Sequence, residues 1–121
     1  MKMADIGTAV QNVMQLDPNI VAVTVIDANG TIIMQTENWN LVNDIPGIMA
    51  TWSQGGGSLS IQGISYIALE VIPERIVGTN VRGQGHIVAV KLLAGSIIAY
   101  VSPQGDARSA LTAMIEATRG V

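Results

Sequence analysis

The sequence predicts an α+β fold in which one antiparallel sheet of about seven strands carries helices on its faces. Apolar residues recur at helical spacing in three segments, one near each end of the chain and one in its middle. The β-branched segments are grouped rather than alternating with helices, and the short connections between them favour an antiparallel meander. With 121 residues and 49% hydrophobic side chains, the chain is expected to form one domain over residues 1–121.

The first helix is predicted over about residues 4–16. The Asp17–Pro18 pair ends it, because the residue before a proline disfavours the helical conformation. The apolar stripe of this helix consists of Ile6, Ala9, Val10, Val13 and Leu16.

Two strands are predicted next, over residues 20–26 and 31–36, with Asn29–Gly30 between them. An Asn-Gly pair between two apolar runs indicates a hairpin, because a type I′ turn needs positive φ at both central residues. We therefore expect the two strands to be antiparallel neighbours joined by a type I′ turn.

A short middle helix follows, with Asn43 or Asp44 as N-cap, Pro46 in its first turn and glycines 55–57 at its end. Trp52 lies on its apolar face and is expected in the core. Trp39, between two asparagines in the preceding loop, is left open as either a packed anchor or a contact residue. The apolar face of the helix consists of Ile45, Ile48, Met49 and Trp52.

Five further strands and a last helix complete the prediction. The strands are expected over residues 59–61, 65–72, 75–79, 86–93 and 96–101, and the helix begins with Asp106 as N-cap. The three helices together are expected to cover both faces of the sheet. The apolar face of the last helix consists of Ala107, Ala110, Leu111, Met114, Ile115 and Thr118.

The net charge of −3 is distributed unevenly along the chain. Up to residue 70 there is one base, Lys2, among six acidic residues, whereas five bases and three acidic residues follow. So few bases cannot track a phosphate backbone or an anionic membrane surface. No nucleic acid partner is therefore expected.

Residues suited to catalysis or metal binding are scarce. The chain has no cysteine, and its one histidine, His86, is interpreted as a polar residue at a strand start. The segment at residues 83–85 lacks the third glycine of a phosphate-binding loop and precedes a strand rather than a helix. Glu70 and the Glu74–Arg75 pair could form a polar site, but opposite charges at a strand turn are usually solvated surface, and we interpret them so. No metal-ligand spacing is present. We expect no enzyme, no cofactor and no metal, and, without cysteines or a signal peptide, a cytoplasmic protein.

The second half of the chain has a distinctive order of motifs. A strand that opens with Gly63-Ile64-Ser65-Tyr66 is followed by a hairpin at Glu74–Arg75 and by a glycine-rich turn into a strand ending at Lys91; an apolar strand and a closing helix come last. This order resembles the second half of a profilin, and the first half, with its hairpin and Trp39 loop, is compatible with that family. The short, aromatic-poor chain is most similar to the divergent profilins of archaea.

The roadblock family shares the same general order of helices and strands and is the alternative. Its members have a three-strand meander and act as homodimeric scaffolds or regulators of small GTPases, pairing through the middle helix and an edge strand. The additional strands predicted at residues 59–61 and 75–79 favour the profilin family.

The profilin resemblance implies a monomeric, non-enzymatic, cytoskeleton-associated protein that binds actin monomers, restrains spontaneous nucleation and supplies monomers to growing filaments. In that family the later strands and the start of the last helix face actin. Most of the positive charge of the second half lies there, where it would attract an acidic actin. The corresponding residues here are Glu74, Arg75, Thr79, Asn80, Arg82, Lys91, Gln104, Asp106 and Arg108.

Profilins also bind proline-rich peptides through aromatic side chains between their terminal helices. Residues 3–16 and 106–121 contain no aromatic residue here, and position 33 is isoleucine. Because polyproline segments dock on aromatic grooves, proline-rich peptides are expected to bind weakly or not at all. Phosphoinositide binding is not expected either, since the chain lacks a dense basic cluster.

Overall fold

The computed structural model describes residues 3–121, with side chains from Asp5 onward. Lys2, which was counted in the charge of the first half, lies outside the described residues. Within residues 3–121 the chain forms three helices and seven strands. The helices are α1 (Met3–Leu16), α2 (Ile45–Gln54) and α3 (Ala107–Ala117). The strands are β1 (Ile20–Asp27), β2 (Ile32–Gln35), β3 (Ser58–Ile61), β4 (Ile64–Ile72), β5 (Arg75–Thr79), β6 (His86–Lys91) and β7 (Gly95–Val101).

All seven strands join one antiparallel sheet in the order β2-β1-β7-β6-β5-β4-β3. Strands β3 to β7 form the predicted meander, and β1 joins it by pairing with β7, where Val25 lies opposite Ile97. The fold class, the number of strands and the position of every predicted element are confirmed. Strand β6 ends at Lys91, two residues before its predicted end.

The sheet buries a separate hydrophobic cluster on each face. Helices α1 and α3 pack together on one face, which we call the two-helix face, and bury the inward side chains of β1, β5, β6 and β7 there. Helix α2 and the loop before it pack on the opposite face, the α2 face, with Trp39, Leu41 and Trp52 in the cluster. Both faces of the sheet therefore carry helices, as the sequence predicts.

Helical periodicity predicted the buried faces of the helices, but for α1 and α3 it included one residue too many. Leu16 and Ile115, both predicted to be buried, are exposed. Leu16 is the last residue of α1, and Ile115 points away from the sheet while Ala113 is buried instead. The predicted stripes were one residue too wide because the contact with the sheet covers only part of each helix.

The β1–β2 turn differs from the predicted type I′ geometry. Asn29 does not have positive φ, whereas Gly30 has φ of +84°. The Gly30 amide donates to the Asp27 carbonyl at 3.1 Å, and the Asp27 carboxylate accepts from the amides of Asn29 and Thr31 at 2.9 and 3.0 Å. These bonds hold a turn in which only Gly30 adopts the left-handed conformation. This geometry is typical of three-residue hairpin loops.

The predicted cap of α2 is correct in position but not in its bonding. Asp44 is the N-cap residue, yet its side chain makes no capping hydrogen bond. Its Oδ2 instead accepts from the backbone amide of Gln62 at 3.1 Å, which fastens the start of α2 to the β3–β4 turn. Gly55 ends the helix in the left-handed conformation, as predicted.

The two tryptophans are both buried. The Trp52 indole Nε1 donates to the carbonyl of Ile72 at 2.8 Å, which joins α2 to the β4–β5 hairpin. Trp39 packs in the same cluster and therefore is an anchor of its loop rather than a contact residue; its Nε1 has no hydrogen-bond partner among the described residues. No helix in the described part of the chain is long and apolar enough to cross a membrane.

Candidate protein-binding face

The two-helix face is only partly covered. Neighbouring strands lie about 4.8 Å apart and a helix with its side chains is about 10 Å wide, so two helices cover about four strands of seven. Helices α1 and α3 lie over β1, β7, β6 and the middle of β5, and the outward residues of β3 and β4 on this face, such as Ser58, Ser60, Ser65 and Ile67, are exposed. We call the uncovered part of β3, β4 and β5, together with the start of α3, the open face.

The start of α3 borders the open face and is well fixed. Asp106 caps the helix by accepting from the Ser109 amide at 2.9 Å and from the Ser109 hydroxyl at 3.0 Å. These two bonds lower the pKa of Asp106, and the nearby His86 contributes to the same shift. The predicted N-cap is thus confirmed, and it fixes the first turn of α3, which carries Arg108.

Three charged side chains from three elements meet on the open face. The Glu70 carboxylate of β4 accepts from Arg75 Nε of β5 at 2.7 Å and from Arg108 Nη1 of α3 at 3.4 Å. The hydrogen bond from Arg75 is the main cause that lowers the pKa of Glu70, and the same bond raises the pKa of Arg75. Glu70 was interpreted from the sequence as ordinary solvated surface, and this interpretation missed the cluster.

A second polar pair lies beside this cluster. Thr79 of β5 and His86 of β6 are directly opposite one another, and Thr79 Oγ1 lies 2.9 Å from His86 Nδ1. His86 does stand at a strand start, as expected, but its side chain lies on the same side of the sheet as Thr79 and near Asp106. The open face therefore carries the one histidine of the chain.

Asn80 organises the loop after β5. Its Nδ2 donates to the Ser65 carbonyl at 2.8 Å, and its Oδ1 accepts from the amides of Arg82 and Gln84 at 2.8 and 3.1 Å. With its side chain buried and bonded inside the molecule, Asn80 shapes the loop and leaves Arg82 exposed at the tip. A depression of about 330 Å³ lies between this loop and strands β3 and β4.

Large apolar side chains lie in the same region. Ile67, Leu69 and Val81 are 49%, 64% and 74% exposed. The sequence analysis did not identify these three residues, because it expected the helices to cover both faces of the sheet. The comparison of helix width with the number of predicted strands would have revealed that part of the sheet stays open.

The remaining residues of the predicted site lie at different places. Glu74 is exposed in the β4–β5 hairpin and Gln104 is exposed in the turn before α3. Lys91 lies on the α2 face, with its ammonium 4.2 Å from the centroid of the Trp52 ring. The structure therefore separates Lys91 from the other predicted residues, because successive side chains of a strand point to opposite faces.

Possible metal ligands do not cluster in the part of the chain that the structure describes. No group of three His, Asp or Glu side chains there could hold a metal ion. A groove of about 530 Å³ on the α2 face is lined by Met49, Trp52, Lys91 and the β6–β7 turn, without a cluster of titratable side chains.

The chain was compared with protein-family models, curated proteins and solved structures. No family model matches it. Loki profilin-1 of Lokiarchaeum is 37% identical over 112 residues, which is 84% of each chain. Odin profilin of Odinarchaeota yellowstonii is 41% identical over 97 residues, 76% of each chain. Among solved structures, the profilin chain of the LokiProfilin2/rabbit actin complex superposes with a TM-score of 0.88 at 32% identity, covering 98% of this chain and 96% of that one.

The helices around one antiparallel sheet and the open face beside α3 define a small binding module. The sequence identity to the Loki and Odin proteins, which extends over most of each chain, determines the family of this module. This chain belongs to the profilin family.

Proposed function

We propose that this chain binds monomeric actin through the open face, restrains spontaneous nucleation and supplies monomers to growing filaments. The observation that carries the proposal is the agreement with the profilin of the LokiProfilin2/rabbit actin complex, which extends over nearly the whole of both chains. The proposed work is binding rather than catalysis, and it takes place in the cytoplasm on the actin cytoskeleton.

The open face has the composition of a protein interface. Exposed Ile67, Leu69 and Val81 supply apolar area that a partner can bury, and the charged residues lie around it. Arg82 and Arg108 are exposed cations that steer an acidic actin toward this face. We assign the contacts to Arg75, Thr79, Arg82, Asp106 and Arg108, with Gln104 at the rim. Glu74, which is exposed in the β4–β5 hairpin and has no ion pair among the described residues, is left out of the assignment. Asn80 acts through the shape of its loop, and Lys91, on the α2 face, is left out of the assignment.

The roadblock alternative required the middle helix as a pairing surface. Ile45, Ile48 and Trp52 of α2 are buried against the sheet of the same chain and are not available for pairing. The meander has five strands, β3 to β7, where that family has three. We therefore propose a monomer that acts on actin.

Assembly of pyrene-labelled actin tests the proposal. Increasing concentrations of the purified chain should lengthen the lag before polymerisation, because actin bound to the chain does not nucleate. Sedimentation velocity should also show a one-to-one complex with monomeric actin. An unchanged lag at excess protein, together with no shift in sedimentation of a cognate actin, would reject the function.

A further inference from the structure

We propose that Glu70 is a positioning residue of the open face, which holds Arg75 and Arg108 in place and so lengthens the lifetime of the complex with actin. This inference rests on the proposed function and deepens it. The carboxylate joins three elements through two arginines, one from β5 and one from α3.

A β-bulge directs Glu70 to the open face. Ala68 lies opposite Gly78, but Glu70 lies opposite Val77, so the register shifts between Ala68 and Glu70. In a regular strand, residues two apart point to the same side, and Glu70 would then share the α2 face with Ala68. The bulge, with Leu69 as the extra residue, turns Glu70 to the side of Val77 and Arg75. Bulges that redirect a side chain in this way are frequent beside functional sites.

The burial of the three side chains shows which of them needs support. The side chains of Glu70 and Arg75 are 25% and 31% exposed, whereas that of Arg108 is 64% exposed. A free arginine on a helix surface samples many rotamers and loses that freedom when it binds a partner. The contact with Glu70 restricts Arg108 before actin arrives, so less freedom is lost on binding.

The charge of Glu70 acts in the opposite direction on the rate of encounter. It offsets one of the two positive charges that it holds, and an acidic partner is attracted less strongly. Removing the carboxylate should therefore speed association slightly while shortening the lifetime of the complex. If Glu70 only stabilised the fold, its removal would lower the free energy of unfolding and would change neither rate constant in the folded protein.

A matched pair of variants separates these two effects. Glu70→Gln and Glu74→Gln each remove one negative charge from the same hairpin, but Glu74 has no ion pair within 4 Å among the described residues. We expect both variants to raise the association rate constant about twofold at low salt. Only Glu70→Gln should raise the dissociation rate constant, by about tenfold. Glu70→Asp keeps the charge but reaches less far, so it should raise the dissociation rate constant without changing association.

Stopped-flow binding to monomeric actin gives both rate constants, and urea midpoints confirm that each variant is folded. Equal dissociation rate constants for Glu70→Gln and Glu74→Gln would overturn the inference and leave the proposed function intact. Failure of the unsubstituted chain to bind actin would overturn the proposed function and the inference with it.

In the free protein, the Nε–H resonance of Arg75 should be protected from exchange with water. This protection should be lost in Glu70→Gln but kept in Glu74→Gln. Equal protection in the two variants would also overturn the positioning role of Glu70.

Discussion

Trp52 shows how one side chain can hold two elements together. Its ring is buried in the cluster of the α2 face, its Nε1 donates to the Ile72 carbonyl, and Lys91 lies over the ring. Burial, a hydrogen bond and a cation–π contact act on the same indole. These contacts join α2 to the β4–β5 hairpin.

Replacing Trp52 with alanine should lower the free energy of unfolding by about 3–5 kcal/mol, because it leaves a cavity beside Ile48 and removes the bond to Ile72. Urea unfolding followed by circular dichroism measures the loss. Leu16→Ala, at an exposed position, is the control and should cost less than about 0.5 kcal/mol. A loss below about 1 kcal/mol for Trp52→Ala would mean that the indole supports little of the fold.

Gly30 is required by both backbone conformation and space. With φ of +84°, it adopts a conformation that side chains disfavour, and an added Cβ would lie 2.7 Å from Met49 Sδ. Gly30→Val should therefore destabilise the protein by more than about 1 kcal/mol. Gly47→Ala is a useful contrast, since an added Cβ there meets nothing within 4 Å and the substitution favours a helix. Thermal unfolding measures both effects: the midpoint temperature should fall for Gly30→Val and rise for Gly47→Ala. An unchanged midpoint for Gly30→Val would contradict the turn geometry.

At the level of elements, the cap of α3 couples stability to pH. Hydrogen bonds from Ser109 lower the pKa of Asp106 in the folded protein. The ionised carboxylate thus stabilises the fold above its unfolded pKa, and this contribution disappears as the pH falls through the lowered folded pKa. Asp106→Ala should reduce the urea midpoint clearly at about pH 7 and much less at about pH 3. A deficit that is equal at both pH values would show that the charge of the cap is not what stabilises α3.

Periodicity and turn residues were sufficient to predict all ten helices and strands. They were not sufficient to predict on which side of the sheet every side chain lies. The helices of the chain show clear stripes, and glycines mark the strand ends, so local physics determines these elements. The bulge before Glu70 arises from the pairing of β4 with β5, which no single strand encodes. For this reason the sequence prediction missed the contacts of Glu70. Lys91 was placed with the other site residues by the family resemblance, whereas its position in β6 directs its side chain to Trp52 on the α2 face.

For the molecule as a whole, positive charge is concentrated where the open face meets α3. Reversing both Arg82 and Arg108 to glutamate should weaken actin binding at least about a hundredfold, because like charges then face an acidic partner. The matched control is the double reversal of Lys91 and Arg119, which lie on the α2 face and beyond the end of α3. It changes the net charge equally and should alter affinity less than about threefold. Equal losses for the two pairs, measured by calorimetry at two salt concentrations, would indicate a diffuse electrostatic effect.

Proline-rich peptides should give no heat of binding and no tryptophan fluorescence change at about millimolar concentration. Helices α1 and α3 present no aromatic ring, and Trp39 and Trp52 are both buried. Micromolar binding would contradict this expectation and require another aromatic surface. Titration by calorimetry distinguishes the two outcomes.

The pairing of β1 with β7 sets the order in which the molecule can fold. The other five pairings of the sheet join strands that follow one another in the chain, and they can form as local hairpins. Pairing of β1 with β7 instead closes a long loop, the slow kind of step in β-rich domains. During synthesis on the ribosome, the apolar strand β1 (residues 20–27) emerges long before β7 (residues 95–101), with which it pairs in the sheet. During synthesis, β1 therefore has an unpaired edge until β7 has been made, and an unpaired apolar strand edge favours aggregation.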